Sequence, residues 1–165
     1  MFDKFSGIKK EEMCKEYTSI KYDYNKPIIF LKPQSGKYLN INSDGFRGSR
    51  LDLTDDDNYR IFFLGGSTAF GIISSTDDTT IPALLEKKLH TDGFSVKVIN
   101  AGVPSFTTRD ELYYIEHHIL NYKPDLIIMY DGWNDISHIN EVGRNISYEK
   151  FSLNTSIENS SISHN

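Results

Sequence analysis

Three short apolar runs separated by helical patterns constrain this chain more than any other feature. Arg60 to Leu64 (R-I-F-F-L) and Leu126 to Tyr130 are continuous rather than alternating, and Val96 to Ile99 is interrupted only by Lys97. Such runs suit strands covered on both faces, as in a parallel sheet. Between the first two, Thr80 opens a helix with Pro82 in its first turn and Leu84, Leu85 and Leu89 as its apolar stripe. Between the second and third, Thr108-Arg109-Asp110-Glu111 has the form of a capping box, and Leu112, Ile115, Ile119 and Leu120 continue the helical stripe. Pro124 precedes the third run. Strand, helix, strand, helix, strand predicts an α/β fold with a parallel sheet.

This pattern occupies residues 59–140. Residues 1–58 are polar and read as an N-terminal extension, with a short amphipathic helix between Phe5 and Ile20, a short strand from Pro27 to Lys32, and a turn at Asn42-Ser43-Asp44-Gly45. Residues 141–165 lose the pattern, Ser and Asn dominate from Ser152 onward, and a flexible tail is expected. The sequon-like triplets at Asn145, Asn154 and Asn159 read as coincidence in a chain that shows no secretion signal.

Composition excludes several function classes. Eighteen basic residues against 23 acidic ones give a net charge of −5, which argues against a nucleic-acid partner. No stretch approaches the roughly 20 apolar residues that span a bilayer, and Met1 to Lys10 lacks the apolar run of a signal peptide, so no membrane segment is expected and a cytoplasmic setting is the default. Cys14, the single cysteine, reads as an ordinary free thiol. His117 and His118 are adjacent and so diverge on a helix; no metal site and no cofactor are expected. Nothing in the composition sets the oligomeric state.

In an open parallel sheet, ligands bind beyond the carboxyl ends of the strands. The first strand is followed there by Gly65-Gly66-Ser67-Thr68, the second by Asn100-Ala101-Gly102-Val103-Pro104, and the third by Asp131-Gly132-Trp133-Asn134-Asp135. All three clusters should meet at one edge. Two glycines would let the chain turn sharply and expose the Ser67 hydroxyl near a helix start; Ser67 reads equally as a helix N-cap. Gly102 serves either a tight turn or an N–H aimed at an oxyanion. Asn134 is either a turn former or an amide donor to developing negative charge. Trp133 reads as pocket wall. G-G-S-T-A-F-G lacks the phosphate-loop lysine and does not match G-x-G-x-x-G, which argues against a nucleotide.

Taken together, G-x-S, N-A-G and G-x-N-D in this order resemble the SGNH (GDSL-type) serine hydrolase family over roughly residues 40–137, with Asn42-Ser43-Asp44-Gly45-Phe46-Arg47-Gly48 similar to a segment that precedes the serine block in some members. The resemblance implies a flavodoxin-like three-layer α/β sheet of which this chain holds three of about five core strands, so that its last strand is left as an edge. It implies ester hydrolysis, with Ser67 as nucleophile and first oxyanion donor, Gly102 as second donor and Asn134 as third. The substrate would be a small-molecule or carbohydrate ester. Two departures stand out. Gly66 replaces the Asp of the G-D-S spelling, and no D-x-x-H block follows near the C-terminus. His90, His117, His118 and His164 are poorly placed to replace it, and His138 is nearest to Asn134. The chain alone is therefore expected to be catalytically crippled. A carbohydrate O-acyltransferase of the same fold, or a binding module that lost its histidine, are the alternatives.

Overall fold

A computed structural model of the chain describes residues 10–23, 30–51, 58–72 and 74–137. Strands β1 (Gln34–Ser35) and β2 (Asn40–Ile41) form a small antiparallel hairpin. Strands β3 (Tyr59–Gly65), β4 (Val96–Asn100) and β5 (Leu126–Tyr130) form a parallel sheet in the order β4-β3-β5. The three strands are the three apolar runs, extended by one residue at each end of the first and one at the end of the second. This is the expected α/β architecture of the flavodoxin-like, three-layer kind.

Strand periodicity sends alternate β3 side chains to opposite faces. Ile61 and Phe63 pack with Val96 and Val98 under Leu85 and Leu89 of helix α3 (Ile81–Thr91). Phe62 and Leu64 join the larger core on the other face, with Phe46, Ile99, Tyr114 and Ile119. Tyr114 belongs to helix α4 (Thr108–His117). Helix α1 (Lys10–Thr18) adds Met13 and Tyr17 to this second core, and the hairpin adds Ile41. Phe30 of the expected Pro27–Lys32 strand forms one bridge with Tyr22; residues 24–29 lie outside the described residues, as do residues 5–9 of the expected N-terminal helix.

Helix α3 begins as its sequence dictates. Thr80 is the N-cap and its Oγ1 accepts from the Ala83 N–H, with Pro82 in the first turn. Two expectations are corrected. The capping box of α4 lies one residue earlier: Thr107 is the cap and Asp110 its partner. That frees Glu111 from the box and turns it into the core. The leucine stripes are corrected with it: Leu84 is 52% exposed and Leu112 56% exposed, and Leu120 is exposed as well. The buried face of α4 and the turn after it is made by Glu111, Tyr114 and His118, spaced three or four residues apart, with Ile119 next to His118. No helix among the described residues is long and apolar enough to cross a membrane.

Register sets the edge. Phe63 pairs with Asn100, and Gly65 pairs with Tyr130. The chain therefore leaves all three strands on the same side, at Gly66, Ala101 and Asp131.

Candidate active site

Helix α2 (Ser67–Phe70) starts directly off β3, with Gly66 as its N-cap. Ser67 sits in its first turn, where backbone N–H groups have no carbonyl one turn earlier to bond. A pocket of about 180 Å³ opens there. It is lined by Ser67, Thr68, Tyr130, Asp131, Trp133 and Asn134, together with Gly66. Two of the three expected site residues, Ser67 and Asn134, thus face one cavity. No hydrogen bond to the Ser67 hydroxyl forms among the described residues.

Gly102 meets the other two through the backbone of α2 rather than through the pocket wall. It is buried, and a Cβ there would stand 2.8 Å from Ala69 C and Phe70 Cα, with Phe70 N closer still. Only glycine lets the β4 loop approach α2 this closely. The Gly102 N–H donates to Asn100 Oδ1 at 3.2 Å. Asn134 Nδ2 donates to the Phe106 carbonyl at 2.7 Å, and one N–H of the amide remains for another acceptor. The same Nδ2 abuts Gly66: any Cβ at position 66 would overlap it. Asp135 accepts from the Thr108 N–H at 3.1 Å and from its hydroxyl, which fastens the helical turn at 133–137 to the start of α4.

Two supporting residues carry no signal strong enough to single them out in sequence. Arg47 is buried and holds the far end of α2: its Nη1 donates to the Phe70 and Gly71 carbonyls at 3.0 and 2.8 Å, its Nη2 to the Tyr38 carbonyl, and its Nε to Asp77 at 2.8 Å. Asn100 Nδ2 adds a second donor to the Phe70 carbonyl at 3.1 Å. Arg47 lies in the G-F-R-G segment and Asn100 opens N-A-G, so the blocks were visible but these tasks were not.

The histidines divide clearly. His90 bonds the Val96 carbonyl, and His117 stacks on Tyr113 and bonds its carbonyl. His118 is buried between Phe46 and Tyr114, donates from Nε2 to the Asp44 carbonyl, and has its pKa lowered by burial. None of the three lines the pocket. His138 and His164 lie outside the described residues.

Glu111 is the residue that sequence reasoning missed. It is 1% exposed, and neither carboxyl oxygen has a partner of hydrogen-bond geometry among the described residues. Burial first, then the neighbouring Asp131, Asp135 and Asp110, push its pKa up to about 9. Asp131 is the member of that group that lines the Ser67 pocket.

A larger cavity of about 510 Å³ lies elsewhere, between the hairpin and α3. Four of its charged groups answer one another: Arg47 with Asp77, and Lys97 with Glu86 at 2.9 Å.

No protein-family model matches the chain, and no curated protein matches it in sequence. Among solved structures it is similar to AlinE4, described as an SGNH-hydrolase family esterase, and to a mutant of the same esterase. Each is 26% identical, with a TM-score of 0.45 and 58% of this chain covered. The chain spans 56% of the length of those esterases.

Proposed function

We propose that this chain carries the nucleophile and oxyanion-binding part of an SGNH-type serine ester hydrolase. The observation that carries the reading is the shared pocket: Ser67 and Asn134 line one 180 Å³ cavity at the carboxyl edge of a parallel sheet. Gly102 is packed onto the helix that begins with Ser67. In this reading Ser67 Oγ attacks the acyl carbon. The Ser67 N–H and the Asn134 amide donate to the oxyanion, and the Gly102 N–H joins them by exchanging Asn100 Oδ1 for the developing charge. The ester oxyanion is the better acceptor of the two because it is charged.

The direct test is p-nitrophenyl acetate turnover by the purified chain beside Ser67→Ala. A burst or turnover that the substitution abolishes supports Ser67 as nucleophile. Equal rates for the two proteins overturn turnover by this chain alone and favour the crippled or binding-module reading.

A second reading, acyl transfer to a carbohydrate, draws on Trp133. Its indole is 79% exposed at the rim of the pocket. A flat apolar face beside the hydrogen-bonding groups of Asp131 and Asn134 suits a sugar ring as acyl acceptor. Stimulation of acyl release by an added oligosaccharide, lost in Trp133→Ala, would favour transfer over hydrolysis.

A further inference from the structure

We infer that the Ser67 pocket selects esters whose alcohol part is a cation, with Tyr130 and Trp133 offering aromatic faces to the positive group and Asp131 its countercharge. The inference deepens the reading of Ser67 as nucleophile and rests on it.

The pocket has one sign of charge. Among the residues that line the 180 Å³ cavity, only Asp131 is charged. Asp131 is exposed, and no ion pair engages it among the described residues. Arg109, the basic residue in the first turn of α4, does not line the cavity.

Aromatic surface stands on both sides of that carboxylate in the chain. Tyr130 ends β5, packs against Phe63 with ring centroids 6.1 Å apart, and is still 53% exposed. Trp133 is the most exposed large apolar side chain among the described residues. Between them Gly132 takes φ +118, which glycine adopts freely, and residues on either side of that bend line one cavity. Exposed aromatic surface gathered at a cavity marks a ligand site rather than core.

The chemistry that fits this rim is an ammonium group. The face of an aromatic ring is its negative side and attracts a cation, while the methyl or methylene groups of an alkylammonium cover the ring. An uncharged apolar alcohol would cover the same rings and strip water from the Asp131 carboxylate without answering it. The cavity is smaller than the roughly 300–1,000 Å³ of a pocket that encloses a whole ligand. A short acyl group therefore lies inside, against Ser67, Thr68 and Asn134, and the alcohol part lies across the aromatic rim.

Trp133 is the only tryptophan of the chain, so its fluorescence reports on this pocket directly. Choline added to the purified chain should change the emission saturably, and neohexanol, its uncharged carbon isostere, should need a concentration about fivefold higher. Asp131→Asn removes the charge and keeps the shape; it should weaken choline binding about fivefold, and salt should weaken binding to the wild-type chain. Equal responses to choline and neohexanol, or a choline response that Asp131→Asn leaves unmoved, overturn the inference. Methyl glucoside binding as tightly as choline overturns it in favour of a neutral sugar. Turnover then separates the inference from the nucleophile reading. Acetylthiocholine should exceed neohexyl thioacetate in kcat/KM by about tenfold, and Asp131→Asn should narrow that ratio. Ser67-dependent turnover with a ratio near one overturns the selection and leaves the nucleophile standing. Choline binding with no Ser67-dependent turnover of either ester overturns ester selection by this chain and leaves a cation-binding pocket.

Discussion

Two glycines of the site look alike in sequence and differ in what blocks them. At Gly102 the obstacle to a side chain is the backbone of α2, which cannot rotate away. Gly102→Ala should therefore displace the helix that begins with Ser67 and cost about 1–3 kcal/mol of stability, as overpacking does. At Gly66 the obstacle is the Asn134 amide, the end of a side chain that can turn. Gly66→Ala should leave thermal stability almost unchanged yet break the Asn134 bond to Phe106. In the proposed hydrolase this lowers turnover by about 10²–10³-fold, the usual loss of one oxyanion donor. Thermal melts and kcat for both variants check the contrast; equal melting losses would refute it. That positions 67, 102 and 134 lie beyond the strand ends was legible because each follows an apolar run, and ligand sites gather where such strands end. Their partners were not. The Asn100 acceptor on Gly102 and the Phe106 acceptor on Asn134 belong to loop geometry, which no local pattern in the chain encodes.

The parallel strands were legible almost to the residue, because the length of each is set by its apolar run; β3 is covered as expected, whereas β5, at the edge of the sheet, leaves Leu126, Met129 and Tyr130 exposed. Helices α3 and α4 were legible, the start of α4 to within one residue, and their orientation less so. Counting leucines chose Leu84, Leu112 and Leu120 as inward, and all three are exposed. The face of α4 that is buried instead carries Glu111 and Tyr114, and His118 follows at its C-cap; the Asp44 carbonyl answers the His118 ring, and hydropathy cannot see that answer. Arg47 shows the same at the hairpin. It stands beside Phe46 in a turn-rich segment, yet it ends buried, with four hydrogen-bond acceptors across three elements. Arg47→Met keeps the stem but leaves the Tyr38, Phe70 and Gly71 carbonyls and Asp77 short of a donor. Breaking a buried pair from one side costs about 3–5 kcal/mol, and chemical denaturation should register a loss of that order. Because two of the bonds hold the end of α2, the loss should appear together with faster amide exchange at Phe70 and Gly71. Unchanged exchange there would mean that Asn100 and Tyr17, which bond the same two carbonyls, hold the helix without it.

Across the whole molecule, the buried ionisable groups set how stability depends on pH, and they pull in opposite directions. The pKa of Glu111 is raised, chiefly by burial, to about 9. The folded chain then binds a proton that the unfolded chain has released, so this contribution is fully present below the ordinary glutamate value of 4.5 and drains away as pH rises toward 9. The pKa of His118 is lowered by burial. Below its ordinary value of 6.5 the unfolded chain binds the extra proton, so this contribution is present above pH 6.5 and is lost as pH falls. Just below pH 6.5 the two offset. Above 6.5 only the Glu111 slope remains, at most about 1.4 kcal/mol per pH unit for a single proton. Beyond pH 10, Tyr17, Tyr114 and Tyr122, all raised by burial, add to the same decline. The chain should therefore be most stable in mildly acidic solution and lose stability steadily from pH 6.5 to 9. Urea midpoints taken at constant m-value across that range provide the check. Glu111→Gln should flatten the alkaline decline and unmask the His118 loss on acidification below pH 6.5, while His118→Gln should extend the Glu111 decline below pH 6.5 and leave the slope above it unchanged. A wild-type midpoint that stays level from pH 6.5 to 9 would mean that Glu111 ionises without cost, and the burial that singles it out would then have no energetic consequence.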